Sequence, residues 1–79
     1  MITITVNGER QTLGSRRSIT DLVEDRTGIR VTAEGTIAGG GTLGIAVAVN
    51  SAVVPRTAWA EHALAEGDLV ELVTATQGG

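Results

Sequence analysis

The residues placed to do chemistry are the last two, Gly78 and Gly79. Glycine has no Cβ, packs against nothing and is a poor way to finish a fold. It suits a tail that enters a narrow cleft in extended form, and such a tail ends in an unhindered α-carboxylate. A frayed terminus can also be Gly-rich without any role. Thr76 and Gln77 link the pair to residues 68–75, which read as a strand. Other chemistry finds little support. His62 is the one histidine and cysteine is absent, so metal ligation is poorly served and no disulfide framework is available. No acid–base or nucleophile pair is visible, so the chain is not expected to be an enzyme in its own right. Gly39, Gly41 and Gly44 match G-x-G-x-x-G. That fingerprint needs a preceding strand and a following helix, and a strand-like run follows instead, so no nucleotide site is expected.

Composition narrows the partners. The 79 residues are expected to form one domain with a modest core. Six Arg stand against nine Asp and Glu, giving a net charge of −3, with Trp59 as the one aromatic. Nucleic-acid binders draw affinity from cations on phosphates, so nucleic acid is not an expected partner. A mildly acidic domain suits a basic patch on another protein. No apolar run approaches the roughly 20 residues of a membrane span. Met1-Ile2-Thr3-Ile4 does not read as a signal peptide, so the expected location is the cytoplasm.

The tail must be carried by a fold, and the local patterns outline one. Ile2, Ile4 and Val6 alternate with Thr3 and Thr5, as in a half-buried strand. Asn7-Gly8 is a strong hairpin signal, because both turn positions favour positive φ. Residues 9–13 return as a second strand. Ser18 and Asp21 fit a capped helix start, with Ile19, Leu22, Val23 and Arg26 on one face and Gly28 as a left-handed stop.

Residues 29–44 are less legible. Ile29, Val31 and Ala33 alternate as a short strand would, and five of the ten residues from 35 to 44 are Gly, as in a flexible loop. Ile45, Val47 and Val49 alternate with Ala46 and Ala48, Asn50-Ser51 turns the chain, and residues 52–54 form a short strand ended by Pro55. Residues 57–65 read as a short helix capped by Thr57, with Trp59, Ala63 and His62 inward and Trp59 closing a small core. Arg56 could meet a partner at the surface or pair with Glu61 or Asp68. Glu66-Gly67-Asp68 is a tight turn before the last strand.

A hairpin, a crossing helix and further strands give an α+β fold, with one helix across a mixed sheet and the first and last strands parallel. That is the β-grasp, or ubiquitin-like, arrangement, expected over residues 1–75 with a flexible tail at 76–79. In the last strand Val70 and Leu72 face the helix. Glu71, Val73 and Ala75 then point the other way and share the outer face with Ala46 and Ala48. That face is a candidate interaction patch or a plain solvent-facing side.

The run V-N-x-x-V-V-P-R-x-x-W from Val49 to Trp59, then L-x-x-G-D-x-V-E from Leu64 to Glu71, then the terminal Gly78-Gly79, resembles the sulfur-carrier proteins of thiamine thiazole synthesis, the ThiS family. The likeness is close over residues 45–79 and looser over 1–28. Residues 29–44 depart from it, being longer and richer in Gly. The resemblance implies that the chain binds no cofactor of its own. A ubiquitin-activating-type adenylyltransferase, using ATP and magnesium, would adenylate Gly79 with Gly78 and Gln77 recognised in its cleft. Sulfur from a cysteine desulfurase would convert the adenylate to a thiocarboxylate, and thiazole synthase would accept that sulfur. Without cysteine the chain has no side chain to hold a persulfide, which leaves the terminus as the attachment point. Two alternatives stay open: a sulfur carrier for molybdopterin or cysteine synthesis, and a ubiquitin-like binding module whose tail does no chemistry.

Overall fold

The computed structural model describes residues 1–14, 17–40 and 44–74. Strand β1 (Ile2–Val6) turns into β2 (Glu9–Leu13) and is followed by helix α1 (Ile19–Thr27). Strands β3 (Ile45–Val49), β4 (Ala52–Val54) and β5 (Leu69–Thr74) come later in the chain. They form one five-stranded sheet in the order β2-β1-β5-β3-β4. Strand β5 lies at the centre, parallel to β1 and antiparallel to β3, while β1–β2 and β3–β4 are antiparallel hairpins. A helix on a mixed sheet with parallel first and last strands is the β-grasp arrangement.

Local chemistry accounts for most of these elements. Asn7 and Gly8 adopt φ of 51° and 84°, the twist a two-residue hairpin needs. Asn50 and Ser51 repeat that turn at 52° and 71° without a glycine. The helix opens with a capping box: the Asp21 N–H donates to Ser18 Oγ at 3.2 Å, and the Ser18 N–H donates to Asp21 Oδ2 at 3.0 Å. Gly28 stops it at φ 76°, its N–H donating to the Glu24 carbonyl at 2.8 Å.

Period two and period 3.6 then converge on one core. Ile4, Val6, Val47, Val49, Val70 and Leu72 from the sheet meet Ile19, Leu22 and Val23 from the helix, all of them buried. Arg26, fourth on the helical repeat, is exposed and donates to Gln11 Oε1 instead. Trp59 closes the far end with 1% of its surface exposed, and its Nε1 donates to the Val54 carbonyl at 2.8 Å. Burial of an indole is favourable when its N–H finds such an acceptor.

Two stretches differ from the sequence expectation. Residues 57–65 are not an α-helix. A single 3-10 turn, Arg56–Ala58, follows Pro55, and Thr57 lies inside the turn without capping it. Further turn bonds carry the chain through residues 59–61, and it then pairs with the approach to α1: Ser18 bridges Ala63, the Ile19 N–H donates to the His62 carbonyl at 3.1 Å, and the Leu64 N–H donates to the Arg17 carbonyl at 2.8 Å. Only Trp59 of the supposed inner trio is buried; His62 is half-buried and Ala63 exposed. The cause is tertiary. Trp59 and Leu64, five apart, must both reach the core; the Glu61 and His62 N–H groups still close turns on Ala58 and Trp59, while the His62 carbonyl and the Leu64 N–H find partners before α1.

The second stretch is 29–40, which forms a tight turn and no strand. Val31 bridges Ile37, the Thr32 N–H donates to the Thr36 carbonyl at 2.7 Å, and Val31 is buried in the core. Ala33 is exposed. Gly35 sits at φ 88°, so close to the 3-10 turn that a Cβ there would stand 3.2 Å from the Thr57 nitrogen. The backbone angle favours glycine at that point, and the clearance is tight for any side chain.

Arg56 is exposed and pairs with neither Glu61 nor Asp68. The Asp68 carboxylate instead accepts from the Ala65 N–H at 2.8 Å and from Asn50 Nδ2 at 3.1 Å, so its acceptor sites serve the turn. Among the described residues the ion pairs are Arg17–Asp25 and Arg30–Glu24.

Candidate functional site

The tail is approached through β5, and the sheet's pleat decides what lies beside it. Val70 and Leu72 point to the helix and are buried. Glu71 and Val73 point away and are exposed. Register places Ala46 opposite Val73 and Ala48 opposite Glu71. Direct cross-strand partners on one face stand about 5 Å apart, so these four residues form a contiguous square. No element among the described residues covers it. Expectations for Ala75, Gln77, Gly78 and Gly79 fall outside the described residues.

The structure adds two residues that the sequence reading missed. Val53 in β4 lies opposite Ala48 and is 75% exposed, and Leu69 at the start of β5 is 58% exposed. With Val73 at 61%, they make an apolar border around Glu71. Strand alternation carried the signal: Val53 has the opposite parity to buried Val54, and Leu69 shares that of Glu71 and Val73.

The chemical content of this face is plain. Alanines at 46 and 48 leave the backbone open to close approach. Val53, Leu69 and Val73 offer apolar surface that gains by being covered. Glu71 places a negative charge within it, suited to an Arg or Lys on a docking partner. Neither an acid–base pair nor a nucleophile comes together there. No helix among the described residues is long and apolar enough to cross a membrane.

Comparison with known proteins agrees with this architecture. A crystal structure of a thiamine biosynthesis protein (ThiS) from Geobacter metallireducens matches with a TM-score of 0.68 at 26% identity, over 99% of this chain and 100% of that one. An NMR solution structure of a thiamine biosynthesis protein from the same organism matches at 0.69 and 25% identity, over 99% of this chain and 88% of that one. No curated protein matches this chain significantly. The ThiS family model matches residues 4–79, from within β1 through the Gly-Gly end. By that match and the shared fold, this chain belongs to the ThiS family, the small sulfur carriers of thiamine biosynthesis, which are not themselves catalysts.

Proposed function

We propose that the Gly79 carboxylate is the reacting group of this carrier. A carboxylate is a poor electrophile. Attack of its oxygen on the α-phosphate of ATP, with loss of pyrophosphate, gives an acyl adenylate with AMP as leaving group. Magnesium on the activating enzyme offsets phosphate charge in that step. The terminal sulfur of a desulfurase-derived persulfide then attacks the acyl carbon and AMP departs. Cleavage of the sulfur–sulfur bond by a thiol leaves the Gly79 thiocarboxylate, the sulfur donor for thiazole synthase. The carrier is a co-substrate throughout. ATP-dependent activation of this kind belongs to the cytoplasm.

The observation that carries this reading is the family match across the whole β-grasp domain and its Gly-Gly end. Side chains at 78 and 79 would obstruct a cleft built around bare backbone, and Gln77 is the last side chain before it. Ala46, Ala48, Glu71 and Val73 form the surface that docks on the adenylyltransferase. The reason is geometric: β5 carries that face and leads straight into the tail, so one approach engages both.

Adding a single residue after Gly79 tests the reading. It leaves the domain intact but moves the carboxylate away from the glycine pair. ATP–pyrophosphate exchange with the activating enzyme should fall to background. Unchanged exchange would contradict the assignment and favour a binding module with an idle tail.

A further inference from the structure

Asn7 does more than the hairpin turn requires. A two-residue turn of this twist accepts glycine as readily as asparagine at its first position. Yet Asn7 spends its whole side-chain amide on β5. The Leu72 N–H donates to Asn7 Oδ1 at 2.8 Å, and Asn7 Nδ2 donates to the Leu72 carbonyl at 3.1 Å. The Asn7 N–H also donates to the Val70 carbonyl at 2.9 Å. Main-chain register between β1 and β5 runs only through Thr5–Leu69 and Val6–Val70, because β1 turns away at Asn7. The amide therefore stands in for the next peptide of β1 and satisfies both backbone groups of Leu72. On the other flank β3 reaches as far as Ile45 opposite Thr74.

We propose that Asn7 is a positioning residue for the tail, its amide fixing the direction in which the chain leaves β5. This rests on Gly79 being the reacting terminus. A strand held on one flank only can swing about that flank. Held on both at Leu72, it enters the tail from a set heading, and fewer conformations are lost when the partner's cleft closes around it. Removing the clamp should therefore weaken productive binding and leave the chemical step alone.

The fold supplies its own control. Asn50 occupies the same position of the other hairpin turn, at φ 52°, and also clamps β5. The Leu69 N–H donates to Asn50 Oδ1 at 3.0 Å and Asn50 Nδ2 donates to Asp68 Oδ1. That clamp grips the start of β5 and ours grips the end nearest the tail. N7G and N50G each keep a positive φ that glycine adopts freely, so both should fold.

The experiment compares the full-length wild type, N7G and N50G by amide hydrogen exchange and by adenylation kinetics with the activating enzyme. N7G should speed exchange of the Leu72 amide about tenfold relative to core amides such as Leu22. It should raise KM for the carrier by about five- to tenfold with kcat within about twofold. N50G should speed exchange at Leu69 and leave KM unchanged. N7D, which keeps the acceptor for the Leu72 N–H and loses the donor, should fall between wild type and N7G.

Equal KM increases in N7G and N50G would overturn the proposal, because both would then report lost stability alone. Faster Leu72 exchange with unchanged KM would overturn it too, leaving Asn7 a purely structural clamp. A wild type that is not adenylated by an enzyme active on another carrier is a separate result. It removes the Gly79 reading itself, and the positioning role with it.

Discussion

Two asparagines in equivalent turns show how one residue type serves two ends. Asn7 is followed by Gly8 and Asn50 by Ser51, so only the second turn places a side chain at φ 71°. Left-handed backbone costs an L-residue about 1–2 kcal/mol, partly offset by glycine's greater freedom when unfolded. S51G should therefore stabilise the domain by about 0.5–1 kcal/mol, read as a higher denaturant midpoint at unchanged slope. Trp59 is the converse case. Its ring fills the end of the core and its Nε1 satisfies the Val54 carbonyl. W59F keeps much of the apolar volume and removes that donor, which should cost about 1–3 kcal/mol by circular dichroism melting. The turn at Asn7-Gly8 and the buried tryptophan were legible from residue type alone. The clamp on Leu72 was not, because expecting the first and last strands to be parallel sets no register between position 7 and position 72.

Helix α1 and the two hairpins are specified by their own residues, which is why they could be read. Period, cap and turn chemistry all act within a few positions. The capping box is an example: S18A should lower stability by about 1 kcal/mol through loss of an acceptor for the Asp21 N–H. The segments at 29–40 and 57–65 obey longer-range rules. Leu64 and His62 take their form from partners at Arg17 and Ile19. Alternation of Ile29, Val31 and Ala33 imitates a strand, but no neighbouring strand among the described residues receives it, and Gly35 instead seats the turn on Thr57. A methyl group at Gly35 meets both a tight backbone contact and a disfavoured φ. G35A should therefore cost about 1–3 kcal/mol and speed exchange of the Thr32 amide, which the turn protects.

Across the whole molecule, the sheet separates a buried face that holds the fold from an exposed face open to a partner. Alternation in β3 and β5 was enough to assign Ala46, Ala48, Glu71 and Val73 to the exposed side. Val53 escaped because β4, at three residues, is too short to display a period, and Leu69 because it adjoins buried Val70 in an apolar pair. The docking role proposed for this face has a direct consequence. V73E leaves the core untouched, so stability should change by less than about 1 kcal/mol. The kcat/KM for adenylation should nevertheless fall at least about tenfold, since a charge would be buried against the partner unpaired. Equal kinetics in V73E would show that this face does not dock on the adenylyltransferase.

Sulfur carried on Gly79 would be read from the intact mass of the chain. Wild-type chain is incubated with ATP, magnesium, the activating enzyme and a persulfide donor, alongside a variant lacking Gly79. A gain equal to one oxygen-for-sulfur exchange is expected in the wild type and no gain in the truncated chain. No gain in the wild type, with partners shown to be active on another carrier, would contradict it.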